Sequence, residues 1–150
     1  MTTVCYDRKL GVMAGDKMAC IGDNKHGIMT KIFKIDGALI GFSGTSDVAV
    51  AILRWIKNGR KDEDWPELQY ENSDCSVLYV DPDGVVMMYD RYPIPIVLEQ
   101  DIHAIGSGRD FALAALHLGL GPVKAIEVAS ALDCYTGAGI DVISLDEAKQ

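Results

Sequence analysis

Asp81-Pro82-Asp83-Gly84 stands between two apolar runs, Cys75 to Val80 and Val85 to Tyr89. Proline presets φ for a turn and glycine admits a positive φ, so the chain reverses there and the runs pair as a hairpin. The same grammar recurs upstream. Thr2 to Tyr6 and Gly11 to Asp16 read as strands, with Asp7-Arg8-Lys9 turning between them. Met18 to Ile21 continues the second strand before a polar loop, Gly22-Asp23-Asn24-Lys25. Met29 to Ile35 is a strand that Asp36-Gly37 turns into another, Ala38 to Phe42. Short turns between successive strands permit antiparallel pairing and exclude the long crossovers that parallel pairing needs.

Helices enter at few places. Ser43-Gly44-Thr45-Ser46 leads into a helix from Asp47 to Asn58, closed by Gly59, with Val48, Ile52, Trp55 and Ile56 at helical spacing. Arg60 to Asp74 is polar, acidic and holds Pro66, so it reads as an irregular connection with room for one helical turn. Pro93 and Pro95 restrict the next segment to a sheet edge. Ile102 to Ile105 is a strand ending in Gly106-Ser107-Gly108, followed by a helix from Asp110 to Leu118. Pro122 opens a further helix that runs to Leu132. A turn from Asp133 to Gly139 and a last strand, Ile140 to Leu145, complete the order. The expectation is an α+β domain with two mostly antiparallel sheets between helical layers, and at 150 residues a single domain over 1–150.

Composition narrows the function. With 49% apolar and 24% charged residues the chain can bury a real core. The formal charge of −8, with no basic cluster, argues against nucleic-acid binding. No apolar run nears the roughly 20 residues of a membrane span. Asp7, Arg8 and Lys9 interrupt the N-terminal apolar pattern at once, so no signal peptide is expected and the cytoplasm is the expected compartment. Cys5, Cys20, Cys75 and Cys134 are widely spaced, and His26, His103 and His117 stand singly. That spacing predicts reduced thiols, structural histidines, and neither a zinc site nor another cofactor.

Two residues carry chemistry. Thr2 follows the initiator methionine and is small enough for that methionine to be trimmed. Trimming would leave a hydroxyl and a free α-amine on one residue, a nucleophile carrying its own general base. The reference pKa of an α-amine, about 7.7–8.0, leaves a useful neutral fraction near physiological pH. A retained Met1 would acylate that amine and leave the site inactive. Lys31 is the second. Period two puts Met29, Lys31 and Phe33 on one face, so the lysine lies between apolar neighbours. Burying it is costly unless its charge is used, and by pattern alone a solvated strand lysine is the default reading.

Six segments in order now resemble one family: Thr2-Thr3-Val4, Ala14-Gly15-Asp16, Thr30-Lys31-Ile32, Gly41-Phe42-Ser43-Gly44, Ile105-Gly106-Ser107-Gly108 and Asp133-Cys134-Tyr135-Thr136-Gly137. The chain resembles proteasome β subunits and the protease HslV, N-terminal nucleophile hydrolases, and is most similar to the short proteasome-like proteins of bacteria and phages. The resemblance implies a four-layer αββα sandwich, with the second helix of the first helical layer shortened because Arg60 to Asp74 holds only a remnant. It implies a threonine peptidase with Thr2 as nucleophile. Lys31 would favour the deprotonated hydroxyl and depress the α-amine pKa, and Asp16 would orient and neutralise that lysine. Gly44 would supply an oxyanion N–H, and Ser107, Asp133 and Thr136 would bond around the amine. Asp16 could otherwise be a turn aspartate, Ser107 a residue of the helix start, and Asp133 a turn residue.

By family position and strand parity, the substrate pocket would be lined by Ala19, Met29, Phe33, Phe42 and Ser46, an uncharged set that predicts cleavage after apolar residues. The implied partners are a peptide or unfolded polypeptide substrate, further copies in a hexameric or heptameric ring, single or stacked, and an ATP-dependent unfoldase. Two other functions fit the same site: hydrolysis of a small-molecule amide, and a non-catalytic ring subunit that keeps the fold alone.

Overall fold

The computed structural model describes residues 2–21, 24–67 and 75–145. The elements in chain order are β1 (Thr3–Asp7), β2 (Val12–Asp16), β3 (Met18–Ile21), β4 (Asn24–Ile28), β5 (Ile32–Ile35), β6 (Ala38–Gly44) and α1 (Ser46–Lys57). There follow β7 (Cys75–Val80), β8 (Val86–Tyr89), β9 (Ile96–Leu98), β10 (Ile102–Gly106), α2 (Arg109–His117), α3 (Pro122–Leu132) and β11 (Ile140–Ser144). One sheet runs β10-β1-β2-β11, a second runs β5-β6-β7-β8-β9, and β3 and β4 form a separate hairpin. Every strand pair is antiparallel. The class is mixed α/β, with sheets built from hairpins.

Both faces of β1 are covered, which is why Thr3-Val4-Cys5-Tyr6 carries no alternation of apolar and polar residues. Val4 and Tyr6 join Met13, Ile32, Leu39, Leu78 and Val80 in a cluster drawn from both large sheets. Cys5 points the other way and joins Ala14, Ala112, Ala115, Ala125 and Ile126, where α2 and α3 pack. Alanines at those contacts let the helices lie close to the strands. A third cluster sets Val48, Ile52, Trp55 and Ile56 of α1 against Ile40, Phe42, Val77 and Tyr79 of β6 and β7. Each fully buried large apolar side chain contributes roughly 1.5–3 kcal/mol. The consequence for function is that β1, held between β10 and β2, cannot fray, so the residue preceding it has a fixed place.

The structure corrects the sequence reading in two places. Met18–Ile21 does not prolong the second strand; it pairs instead with Asn24–Ile28, which the sequence reading took in part as a polar loop. Asn24-Lys25-His26-Gly27-Ile28 has no apolar alternation, so its strand character comes from backbone pairing alone, with a register shift between Ala19 and Cys20. Gly22 and Asp23, the rest of that loop, lie outside the described residues. The strand expected from Met29 begins only at Ile32. Met29 leaves the ladder because its N–H donates to the Lys17 carbonyl at 2.8 Å. The Arg60–Asp74 connection contains one 3-10 turn, Asp62–Asp64, and its part from residue 68 lies outside the described residues. No helix among the described residues is long and apolar enough to cross a membrane.

Candidate active site

Thr2 lies immediately before β1 and is only 4% exposed. Gly106, across from Thr3 in the β1–β10 ladder, holds φ at +99°, a conformation that glycine alone adopts without strain. A Cβ there would collide with the Thr2 carbonyl, so this glycine lets the β10 backbone press directly on the residue.

Beneath Thr2 is a buried ion pair. Asp16 closes β2 and is wholly buried, while Lys31 is 2% exposed, and Lys31 Nζ donates to Asp16 Oδ1 at 2.8 Å. The Thr3 N–H donates to the same oxygen at 3.0 Å, and Asp16 Oδ2 accepts the N–H groups of Gly137 at 3.1 Å and Met18 at 3.3 Å. An unpaired carboxylate at this depth would be prohibitively costly, so the pair and its three backbone donors hold one another in place. Asp16 is therefore more than a turn residue.

A second polar group approaches from the helix side. Ser107 Oγ and Thr136 Oγ1 each donate to Asp133 Oδ2 at 2.6 Å, and Ser107 Oγ lies 3.4 Å from the Thr2 carbonyl oxygen. Burial alone would raise the Asp133 pKa. The bonds from Ser107, Thr136 and the Tyr135 N–H outweigh that and hold the carboxyl below its ordinary value. Asp133 is thus an anion at neutral pH. The Ser107 proton is committed to that short bond, which leaves its lone pairs for a neighbouring donor.

A cleft of about 190 Å³ opens over Thr2 and Lys31, lined by Met18, Ala19, Cys20, Met29, Phe42, Gly44, Thr45 and Ser46. It brings together four of the five residues expected to line a pocket. Phe33 is the exception: it does not line the cleft but stacks on Phe42 with ring centroids 5.9 Å apart. Met18, Cys20 and Thr45 were not anticipated. Met18 and Cys20 flank Ala19, and that adjacency to an expected pocket residue is the signal that could have found them. Gly44, with φ +112°, ends β6 at the cleft, and Thr45 stands beside it at the N-cap position of α1 without a side-chain capping bond. The positive end of that helix macrodipole therefore faces the cleft.

Among the described residues no three His, Cys, Asp or Glu side chains are grouped as metal ligands. The other titratable outliers lie in the packing. Burial pushes the Cys5 thiol up to about 12, with its Sγ packed against the Pro122 carbonyl at 3.5 Å. Such a thiol is inert.

No protein-family model matches the chain, and no curated protein sequence matches it. Solved structures do. A eukaryotic HslV from Trypanosoma brucei is 22% identical, with 95% of this chain and 98% of that one covered and a TM-score of 0.75. BPH from Thiobacillus denitrificans in complex with epoxomicin is 16% identical, with 96% and 99% covered and a TM-score of 0.70. A second structure of Thiobacillus denitrificans BPH is 17% identical, with 97% and 100% covered and a TM-score of 0.66. The chain has the HslV-like, proteasome-like fold over nearly its whole length.

Proposed function

We propose that the chain is a threonine-type peptidase whose nucleophile is Thr2, exposed by removal of Met1. The observation that carries this is the buried Asp16–Lys31 pair under the cleft that Thr2 lines. A scaffold gains nothing from such a pair, because replacing buried ions by apolar residues is commonly neutral or stabilising. A nucleophile with a hydroxyl far above neutral pKa does gain from a fixed cation beside it.

In the proposed reaction a peptide carbonyl enters the cleft above Thr2. The Thr2 Oγ1–H gives its proton to the free α-amine as the oxygen attacks, and Lys31 stabilises the developing alkoxide. Asp16 holds the Lys31 ammonium in place through their 2.8 Å bond. The oxyanion is received by the Gly44 N–H, helped by the dipole of α1. The protonated amine, held by Ser107, Asp133 and Thr136, returns its proton to the leaving amine, and an ester to Thr2 remains. Water, activated by the same amine, then releases the acyl product. The protein residues suffice for this chemistry.

Ala19, Met29, Phe42 and Ser46 form the proposed pocket wall, backed by Phe33. Its volume of about 190 Å³ lies below the usual range for whole small-molecule ligands and fits one side chain. That favours a peptide over a small-molecule amide. The four-layer αββα sandwich fits three clusters that separate α1, the two large sheets, and α2 with α3. The likeness to HslV supports a homo-oligomeric ring working in the cytoplasm, with an ATP-dependent unfoldase as partner.

The test is a panel of fluorogenic peptides on the Met1-free chain. Cleavage after apolar residues, lost in Thr2→Ala, is expected. A preference for acidic or basic residues, or activity that survives Thr2→Ala, would overturn the reading.

A further inference from the structure

Resting on Thr2 as the nucleophile, we infer that Thr3 is a positioning residue that ties the two polar groups of the site into one frame. Its side chain is fully buried. Its N–H donates to Asp16 Oδ1 at 3.0 Å, the oxygen that also receives Lys31 Nζ. Its hydroxyl lies 2.7 Å from Thr136 Oγ1. A hydroxyl carries one proton, and Thr136 gives its own to Asp133 Oδ2 at 2.6 Å. Thr3 must therefore be the donor in the Thr3–Thr136 contact. The bonds run in one direction, from Thr3 to Thr136 to Asp133, and such chains strengthen each member. Thr3 thus reaches the Asp16–Lys31 pair through its backbone and the Asp133 group through its side chain.

Strand geometry turns this tie into a constraint on the nucleophile. Successive side chains point to opposite faces, so Thr2 faces the cleft while Thr3 faces the helices. Any roll of β1 about its axis that displaces Thr2 Oγ1 must also break the Thr3–Thr136 bond. Gly108 belongs to the same device: a Cβ there would collide with Thr3 Oγ1, so only glycine lets α2 start this close to the hydroxyl. Packing alone does not call for an alcohol here, since valine has the same branched shape.

The test uses the Met1-free full-length chain and a time course of labelling by epoxomicin, read by intact mass. Thr3→Val removes the hydroxyl but keeps the branch, Thr3→Ala removes it without crowding Thr136, and Thr3→Ser keeps it. The maximal labelling rate should fall about tenfold in Thr3→Val and Thr3→Ala, with the half-saturating concentration moved by no more than about twofold. Thr3→Ser should recover to within about threefold of the wild type. Wild-type rates in both hydroxyl-free variants would overturn the inference, as would a Thr3→Ser variant as slow as Thr3→Ala. Loss of the fold in both hydroxyl-free variants would make the residue structural and overturn it too. Failure of the Thr2 reading is distinguishable, because the wild type itself would then stay unlabelled.

Discussion

Lys31 Nζ lies 2.8 Å from Asp16 Oδ1, and neither side chain is more than 2% exposed. Asp16 ends β2 and Lys31 immediately precedes β5, 15 residues further on. The Phe42 N–H holds the Lys31 carbonyl at 3.2 Å, and the Met29 N–H ties the segment to the Lys17 carbonyl at 2.8 Å. Two charges are removed from water at one point in the fold, and the cleft opens directly over them. This arrangement costs stability that an apolar pair would not, which links it to function.

Breaking that pair should therefore cost both stability and activity. Lys31→Met leaves the Asp16 carboxylate buried with only backbone donors, a change expected to destabilise by about 3–5 kcal/mol. Urea unfolding would measure the loss, and peptide hydrolysis should disappear in the fraction that remains folded. An equally stable, fully active Lys31→Met would remove the proposed role of the lysine.

Asp133 should stay ionised throughout the neutral range. Its folded pKa lies below the ordinary carboxylate value, so its contribution to stability is complete above that value and is lost as pH falls through the folded pKa. Between about pH 6 and pH 8, activity should rise with pH as the Thr2 amine deprotonates, with no step from Asp133. Asp133→Asn should lower the maximal rate by about 100-fold without adding a titration step in that window. A wild-type step in that window that Asp133→Asn removes would contradict this assignment.

His103 supplies a separate pH effect on stability. It is 3% exposed, its Nε2 lies 2.7 Å from the Gln100 carbonyl, and its ring stands 6.2 Å from that of Tyr6. Burial lowers its pKa, against the Gln100 bond and with help from Arg8. The unfolded chain therefore binds a proton more readily than the folded one. Stability should be flat above the unfolded value near 6.5 and should fall as pH drops from there toward the folded pKa. Melting curves at pH 7.5 and 5.5 should show this fall, and His103→Phe should reduce it. An unchanged pH dependence in the variant would exclude His103 as its source.

Gly106→Ala should damage the site from outside the cleft. The substitution imposes a positive φ on an L-residue and drives a methyl into the Thr2 carbonyl. Strain of about 1–3 kcal/mol is expected, together with loss of labelling at Thr2. Wild-type labelling in a stable variant would show that the contact is dispensable.

Much of this was legible in the sequence where turns and caps have local causes. Asp81-Pro82-Asp83-Gly84 located the β7–β8 hairpin, and Pro122 marked the start of α3, which runs to Leu132 as its pattern predicts. Period two placed Met29 and Phe33 together, and both pack against the α1 cluster while Ile32 turns to the opposite one. What was hidden depends on tertiary pairing. Asn24–Ile28 has no strand pattern of its own and becomes a strand only by pairing with Met18–Ile21. The register shift at Ala19/Cys20 brings Ala19 to the cleft alongside Met18 and Cys20. Thr3 was masked by the residue before it: the motif that draws attention to Thr2 says nothing of a neighbour facing the other way.

Intact mass before and after epoxomicin shows whether Thr2 is a live N-terminal nucleophile. A starting mass without Met1, followed by one inhibitor per chain attached at Thr2, is the predicted result. A Met1-free chain that stays unlabelled, or one labelled away from Thr2, would contradict it.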